Sequence, residues 1–281
     1  MKLEGKKVLL TGASGGIGEA LAQALAAQGA HLLLHGRRAS ALERLCKELP
    51  YPERHQIVIA DLGSPQERAR LLQHPALEEG LDVLINNAGC NQFAWLEDQS
   101  AEQVERQLLL NIEVPIQLTR ALLPRLRKPA VVMNIGSSFG AIGYAGYSVY
   151  CASKFALRGF SEALGRELEG TGIKVLHFAP RATRTRLNSE AAYKMNAELG
   201  TQTDSPQDVA EAAVTALCNE TRRSWLGWPE KLFVRLNALL PGLVDRALAK
   251  QKPIIERYAR HSSPPAAGTG NPTAVMTEKE R

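Results

Sequence analysis

Tyr150 and Lys154 are the residues whose types and spacing most directly indicate chemistry in this 281-residue chain. Residues four apart on a helix lie on the same face, so the ammonium group of the lysine can sit beside the phenol. A neighbouring positive charge favours the phenolate and tunes a weak acid towards proton transfer near neutral pH. An isolated pair with this spacing is common on helix surfaces, so other motifs must decide whether this pair is catalytic.

A glycine-rich turn near the N-terminus supplies the second motif. The apolar run Lys7–Leu10 is followed by the segment Thr11–Gly18 and then by a helical pattern from Glu19 to Ala26. In this frame the backbone can approach a pyrophosphate, and the free N–H groups of the first helical turn face its negative charge. Glycines also follow strands in ordinary strand-to-helix loops, but the frame favours the binding interpretation.

The elements that must position these residues follow from apolar runs that alternate with helical patterns. The pattern predicts strands at 6–11, 31–35, 56–60, 81–85, 130–136, 173–178 and 224–228. It predicts helices at 16–28, 39–49, 64–74, 101–126 and 148–169, and a later helix that starts at Ser205-Pro206. The predicted fold is α/β, a single-domain Rossmann-type doubly wound parallel sheet with helices on both faces and a C-terminal helical extension. Its ligands should bind at the carboxyl ends of the strands, where Gly12, Asn87, Ser137 and Pro180 fall.

Four motifs in one order resemble those of the short-chain dehydrogenase/reductase family. They are Thr-Gly-x-x-x-Gly-x-Gly at 11–18, Asn86–Gly89, Ser137, and Tyr150-x-x-x-Lys154. The thirteen positions between the serine and the tyrosine are also the family's interval. The resemblance covers about residues 5–228, which we take as residues 1–228 of a catalytic domain.

The resemblance implies a catalytic tetrad of Asn111, Ser137, Tyr150 and Lys154. Tyr150 would donate the proton in reduction, and Lys154 would lower the pKa of that phenol and hold the cofactor ribose. Ser137 would polarise the substrate carbonyl. Asn111 would kink its helix and support a water relay to the lysine, although a lone asparagine in a helix is more often a local hydrogen-bonding residue.

Ser138 and Tyr147 compete with two members of this tetrad by residue type. Tyr147 has Cys151 four positions later instead of a lysine. Ser138 is one residue out of register at a strand end, where the direction of side chains alternates. We therefore treat both as secondary residues that line the pocket.

The end of the second predicted strand, His31–Arg38, indicates which nicotinamide cofactor binds. An acid there would accept hydrogen bonds from the adenine ribose and repel a 2′-phosphate, whereas an arginine suits the phosphate. Gly36 stands where NAD-preferring relatives tend to carry the acid, and Arg37 follows it. We predict NADP(H), with a solvated basic turn as the alternative interpretation of the two arginines. The predicted cofactor-binding residues are Gly12, Ser14, Gly15, Gly16, Ile17, Gly18, Arg37, Arg38, Asp61, Leu62, Asn87, Ala88, Gly89, Tyr150, Lys154, Pro180, Thr183 and Thr185.

The segment after the sixth strand departs from the family's pattern. Relatives often have Pro-Gly-x-x-x-Thr where this chain has Pro180-Arg181-Ala182-Thr183-Arg184-Thr185. If the relatives' glycine has a positive φ, Arg181 is strained or the local backbone differs. We hypothesise that Arg181, Arg184 or Arg186 pairs with a cofactor phosphate or a substrate anion; alternatively all three face solvent. Residues 187–204 then correspond to the usual substrate lid.

Composition fits a cytoplasmic enzyme of one domain. A chain of this length with 44% hydrophobic residues can bury one large core. Its four cysteines have neither metal-ligand nor disulfide spacing, no signal peptide precedes the first strand, and no apolar run is long enough to span a bilayer. The formal net charge is +5, but the basic residues are dispersed and only 5% of residues are aromatic, so we expect no nucleic-acid partner and no metal.

An amphipathic helical extension is predicted at residues 229–260. Its leucines at 232, 236, 239, 240 and 243 form a stripe that breaks around Pro241-Gly242. Such stripes are usually buried, so we favour packing over the substrate pocket or contact in a homodimer or homotetramer. Peripheral membrane contact stays open as a third interpretation. Residues 261–281 have few large apolar side chains and are predicted to be a disordered tail.

The predicted activity is NADPH-dependent reduction of a carbonyl on a largely apolar substrate. Residues 139–146 are small and apolar, which suits a ketone, an aldehyde or a 3-oxoacyl group with hydrocarbon near the reacting carbon. One alternative is the reverse reaction, NADP-dependent oxidation of a secondary alcohol or 3-hydroxy acid. An alternative of another class is a non-catalytic NADP(H)-binding sensor or interaction module, against which the intact tetrad argues.

Overall fold

A seven-stranded, wholly parallel sheet forms the centre of the computed structural model, which describes residues 1–260. The strand order is β3-β2-β1-β4-β5-β6-β7, with the chain reversing direction of travel across the sheet between β1 and β4. The predicted tail, 261–281, lies outside the described residues. The strands are β1 Lys7–Leu10, β2 His31–Gly36, β3 Gln56–Ile59, β4 Leu81–Asn86, β5 Leu126–Ile135, β6 Ile173–Ala179 and β7 Arg223–Trp225.

Helices cover both faces of this sheet, as predicted. Within residues 1–260 they are α1 Gly16–Ala27, α2 Ala39–Glu48, α3 Pro65–Leu72, α4 Ala101–Leu108, α5 Val114–Leu122, α6 Ser148–Glu167, α7 Glu190–Glu198, α8 Pro206–Cys218, α9 Trp228–Leu239, α10 Pro241–Ala249 and α11 Lys252–Arg260. None of these described helices combines the length and apolar character needed to cross a bilayer. The division of the chain at residue 228 stays a prediction.

Alternating residues of each central strand enter two different cores. Val8 and Leu10 pack with α1, α2 and α8 on one face of the sheet, whereas Leu9 packs with α3 and α5 on the other. Strands that are buried on both faces must be apolar at every position, and this explains the continuous apolar runs in the sequence. A third, smaller apolar cluster contains Phe93 and Tyr147 together with residues of two helices, α7 and α11.

Three element boundaries differ from the sequence prediction by more than two residues. The helix predicted at 101–126 is α4 and α5 joined by a π-helical turn at Leu109–Glu113, and it ends at Leu122. The strand predicted at 130–136 begins earlier, at Leu126. The sequence pattern misses this start because residues 127–129 are exposed and are polar or proline. Trp228, predicted to end the last strand, instead begins α9.

The turn between β1 and α1 brings three backbone segments unusually close together. Gly12 has φ +68°, and a Cβ there would lie 2.9 Å from the Cα of Ala88. A Cβ on Gly18 would lie only 2.1 Å from the carbonyl oxygen of Gly12. Only glycine fits at both positions, because one needs a left-handed conformation and the other has no space.

We expect Gly18→Ala to destabilise the protein in the absence of any ligand. The added methyl would overlap a backbone oxygen that cannot move freely, and such overpacking costs about 1–3 kcal/mol. Gly15→Ala is the matched control, because a Cβ at Gly15 would have its nearest contact at 3.4 Å. Urea unfolding of both variants measures the difference; equal free energies of unfolding would contradict the close approach.

Candidate active site

One cavity of about 750 Å³ lies at the carboxyl ends of the strands and gathers almost every predicted site residue. All the predicted cofactor-binding residues line it, together with Ser137, Tyr150 and Lys154 of the predicted tetrad. Asn111 is buried behind the cavity wall. The two residues treated as secondary, Ser138 and Tyr147, also line the cavity.

The start of α1 presents unsatisfied backbone donors to this cavity. Gly15 is the N-cap residue of α1 and no side chain caps the helix there. The first N–H groups of a helix have no partner within it, and the helix dipole adds positive potential at the same end. The glycine cradle and these donors fit the pyrophosphate of a dinucleotide, which would lie against Gly16 and Ile17.

The end of β2 places two arginines at the rim of the same cavity. The Arg38 guanidinium donates a hydrogen bond of 3.1 Å to the carbonyl of Ser14, so it braces the glycine turn. Arg37 is exposed and has no ion-pair partner within residues 1–260. Arg37 is therefore the more available of the two for an anionic group.

His35 also supports this turn, although no role was assigned to it from the sequence. Its Nδ1 accepts a hydrogen bond from the backbone N–H of Gly12 at 3.2 Å, and its Nε2 lies 3.0 Å from the carbonyl of Ala60. Burial lowers the pKa of His35 to about 4, so the ring is neutral at neutral pH and can accept. The sequence feature that could have indicated this role is the position of His35 directly before Gly36, at the end of a predicted strand.

The loop after β4 is locked to the glycine turn. The Thr11 hydroxyl accepts hydrogen bonds of 3.0 Å from the N–H groups of both Asn87 and Ala88. The Asn87 amide in turn donates to the carbonyls of Thr11 and Gly12. These bonds hold Ala88 and Gly89 in the cavity wall.

Asn111 lies in the π-helical turn, where the resemblance implied a kink. Its side-chain amide donates to the carbonyl of Cys90 at 2.8 Å and to the Ser153 hydroxyl at 3.0 Å, and its oxygen accepts from the N–H of Cys90 at 2.9 Å. Ser153 donates to the carbonyl of Tyr150 at 2.7 Å. Asn111 thus ties the loop after β4 to the helix that carries the tyrosine.

Tyr150 is half-buried among aromatic rings, next to Ser137. The ring centroids of Phe139 and Tyr147 lie 6.4 and 6.1 Å from that of Tyr150. Burial raises the pKa of Tyr150 to about 12, although its hydrogen bond with Ser137 acts in the opposite direction. The phenol is therefore fully protonated at neutral pH.

The buried Lys154 differs from expectation in its effect on Tyr150. Its Nζ donates a 3.0 Å hydrogen bond to the carbonyl of Ile135 and lies 5.7 Å from the centroid of the Tyr150 ring. Burial lowers the pKa of Lys154 itself to about 8. The pKa of Tyr150 is therefore raised in this structure and not lowered as predicted, because the cost of burying the phenolate outweighs its hydrogen bond with Ser137.

Arg181 also corrects an expectation. Its guanidinium makes two hydrogen bonds of 2.9 and 2.7 Å with the carboxylate of Asp204, and a third nitrogen lies 3.4 Å from Glu230. It is thus neither solvent-facing nor available to a phosphate. Its φ is not positive, since the non-glycine residues with positive φ in the described chain are Tyr51 and Glu220. Arg184 and Arg186 are exposed.

The far wall of the cavity is apolar and comes from two segments. The predicted lid, 187–204, contains the unpredicted helix α7 and contributes Leu187 and Met195. The extension contributes Phe233 from α9 and Val244 and Leu248 from α10. The Tyr144 hydroxyl donates to the side-chain oxygen of Gln251 at 2.8 Å. This hydrogen bond connects the extension to the loop before α6. Part of the extension therefore lies in the wall of the cavity.

Most of the predicted leucine stripe, however, does not take part in this packing. Leu232, Leu239, Leu240 and Leu243 are all more than half exposed. The stripe is therefore not covered by the described residues of the same chain, and its contact with a second copy stays a prediction. The residues that cover the pocket lie on other sides of the same helices.

Comparison with known proteins places this architecture among dehydrogenases. Residues 6–196 match the family model described as short chain dehydrogenase. The dehydrogenase/reductase SDR family member 7B of Bos taurus is 35% identical over 272 residues, which are 91% of this chain and 83% of that protein. The ketoacyl reductase HetN of Nostoc is 34% identical over 255 residues, 87% of this chain and 88% of that protein.

Solved structures agree with this match. A short-chain dehydrogenase from Sphingobium yanoikuyae in complex with NADPH has a TM-score of 0.71 and 28% identity, covering 85% of this chain and 95% of that one. A short-chain dehydrogenase/reductase from Burkholderia phymatum in complex with NAD has a TM-score of 0.77 at 21% identity, covering 86% and 96%, and shows the shared fold. The chain belongs to the short-chain dehydrogenase/reductase family of oxidoreductases.

Proposed function

We propose that this protein reduces a ketone, aldehyde or 3-oxoacyl group on a largely apolar substrate with NADPH. The observation that carries the proposal is the single cavity in which the glycine cradle, Ser137 and Tyr150 face an apolar wall. The ketoacyl reductase HetN supports the substrate class by its name, and the NADPH complex from Sphingobium supports the cofactor. A homo-oligomeric state and a cytoplasmic location stay predictions.

The residues at the end of β2, on the rim of the cavity, support a preference for NADPH. No acid follows Gly36 to repel a 2′-phosphate, and the Arg37 guanidinium is exposed there. A planar guanidinium can bind phosphate oxygens in pairs. Arg38, which is bonded to Ser14, would contribute charge more than direct contact.

The proton chemistry is assigned to the chain's own residues. NADPH, when bound, supplies the hydride that reduces the carbonyl carbon. The Ser137 hydroxyl donates a hydrogen bond that polarises the carbonyl oxygen, and the Tyr150 hydroxyl then gives it a proton. A pKa near 12 keeps that proton on Tyr150 until the substrate oxygen gains charge. The ammonium of Lys154 lies close enough to stabilise the phenolate that remains.

Asn111 and Ser153 act on this reaction through position. Their hydrogen bonds fix the loop at Cys90 against the helix that carries Tyr150. A proton relay through water near Asn111 and Lys154 would restore the proton to Tyr150 after each turnover. That relay remains part of the proposal.

Tyr150→Phe should abolish reduction and change the affinity for NADPH far less, since many other predicted contacts to the cofactor remain. Loss of a positioned proton donor typically costs 10²–10⁴-fold in rate. Tyr147→Phe is the matched control, because this ring lines the same cavity but has no lysine four residues later. Steady-state NADPH oxidation with a panel of ketones, aldehydes and 3-oxoacyl thioesters gives the rates, and fluorescence titration gives the affinities.

Three outcomes would contradict the proposal, the third measured with NADP+ and the corresponding alcohols. Turnover by Tyr150→Phe equal to that of the parent protein would remove the tyrosine from the chemistry. Tight NADPH binding by the parent without turnover of any compound would favour the non-catalytic binding module. Net oxidation of the corresponding alcohols at neutral pH would reverse the assigned direction.

Arg37→Ala should weaken NADPH binding by about tenfold or more and leave NADH binding unchanged. A hydrogen bond to a charged group is worth about 1.5–3 kcal/mol, and 1.4 kcal/mol corresponds to a factor of ten. Arg44→Ala is the control, since Arg44 is an exposed arginine of α2 outside the cavity. Equal losses for both cofactors, or none, would contradict a contact between Arg37 and the 2′-phosphate.

The rate should also fall above about pH 8. Burial favours the neutral amine of Lys154, so its charge is present below that pH and is lost as the pH rises through it. The pH profile of kcat/KM for NADPH reports groups of the free enzyme. Lys154→Arg keeps a charge at high pH and should extend any residual activity beyond pH 8. A parent profile that is flat to pH 10 would show that this charge is not needed.

A further inference from the structure

The outer side of α9 and α10 carries an exposed apolar face bordered by basic residues. Apart from Phe233 of the cavity wall, five large apolar side chains within 228–243 are exposed, and Trp228 and Leu239 are the most exposed of them at 76% and 79%. The other exposed large apolar residues of the described chain, such as Tyr51, Leu96 and Phe155, are scattered over distant elements. A concentrated apolar surface of this kind marks an interaction site.

The spacing of these residues makes α9 amphipathic towards the outside. Trp228, Leu232 and Leu239 are four and seven positions apart and therefore share one stripe of the helix. Lys231 and Arg235 lie on the same side at the margin of that stripe. The opposite side of α9 holds Phe233 in the cavity wall and the buried Val234.

The exposed charged residues next to this apolar face indicate which kind of partner it would bind. Lys231, Arg235, Arg246 and Lys250 are exposed and form no ion pair within residues 1–260. These two helices carry two acids: Glu230 of α9 is already paired with Arg181, and Asp245 of α10 is exposed. Tryptophan and leucine in the centre with lysine and arginine at the margin are the composition of helices that lie in the interface of an anionic bilayer.

We propose that α9 and α10 dock this protein onto an anionic lipid surface. A second copy of the chain fits this face less well. A two-fold contact places the same patch on both partners, so it would bring one basic margin against the other. An anionic bilayer instead meets the apolar stripe with hydrocarbon and the basic margin with headgroup phosphates.

Docking also has a consequence for the cavity, which rests on the proposed function. Phe233 lines the cavity and is 45% exposed, so it joins the apolar face to the apolar wall. A lipid-bound enzyme would therefore receive apolar carbonyl substrates that partition into the bilayer. Lipid binding itself depends only on the surface and can be tested without turnover.

Co-sedimentation of the full chain with vesicles tests the proposal. We expect binding to phosphatidylcholine vesicles that contain phosphatidylglycerol, and much weaker binding to phosphatidylcholine alone. Leu232→Gln with Leu239→Gln should weaken binding by about tenfold or more, since two apolar anchors are lost. Lys231→Gln with Arg235→Gln should lower affinity for anionic vesicles by a similar factor. Leu96→Gln with Leu108→Gln, on exposed residues elsewhere, should bind as the parent does.

Tryptophan fluorescence provides a second measurement of the same contact. The emission of Trp228 should shift to shorter wavelength when anionic vesicles are added, and the shift should be absent in Trp228→Leu. Circular dichroism and turnover of a water-soluble ketone show that each variant is folded and active. These readouts separate failure of docking from failure of the proposed reductase activity.

Three results would overturn the proposal. The first is no partition of the parent protein into anionic vesicles, and the second is equal binding by the parent and the leucine variant. The third is a concentration-dependent oligomer that the leucine variant dissociates, with no vesicle binding by the parent, which would assign the face to a second copy of the chain.

Discussion

The close backbone approach at Gly12, Gly18 and Ala88 is the constraint on which the site depends. Because Gly12 and Gly18 have no side chains, the loop after β4 can lie against the glycine turn. At this distance the Thr11 hydroxyl accepts hydrogen bonds from two N–H groups of that loop. That loop continues to Cys90, which Asn111 holds from both its N–H and its carbonyl. Asn111 and Ser153 carry the connection to the backbone of Tyr150. Hydrogen bonds and the short chain segment 88–90 therefore link the glycine turn to the backbone of Tyr150.

Burial acts on Tyr150 and Lys154 in the same sense, because it favours the neutral form of each. In the proposed reduction, proton donation by Tyr150 would create a phenolate beside the ammonium of Lys154 and so reverse this balance. The pair would then stabilise charge only at the stage of the reaction where charge appears. Such stabilisation lowers the barrier without increasing the binding of the ground state.

Sequence reasoning named residues that the structure brings together in one cavity, because they follow the carboxyl ends of buried strands, whose apolar runs are easy to recognise. It did not find the start of β5, since 127–129 are polar and exposed, and it did not find α7, although Ser189 caps that helix. Arg181 illustrates a different limit. Its partners Asp204 and Glu230 are distant in sequence, and nothing in the local pattern identifies them. The leucine stripe of α9 shows that periodicity identifies an apolar face without identifying what covers it.

The Arg181 ion pairs give the cavity a wall that is held by charge. Asp204 lies just before α8, Glu230 lies in the first turn of α9, and Arg181 joins both with a side chain that is only 15% exposed. Moving α9 away from the pocket would separate the partly buried charges of Arg181 and Glu230, which costs electrostatic free energy. Moving a purely apolar wall has no such electrostatic cost. The position of α9 beside the cavity therefore depends in part on an ion pair, and salt weakens such pairs where they are partly exposed.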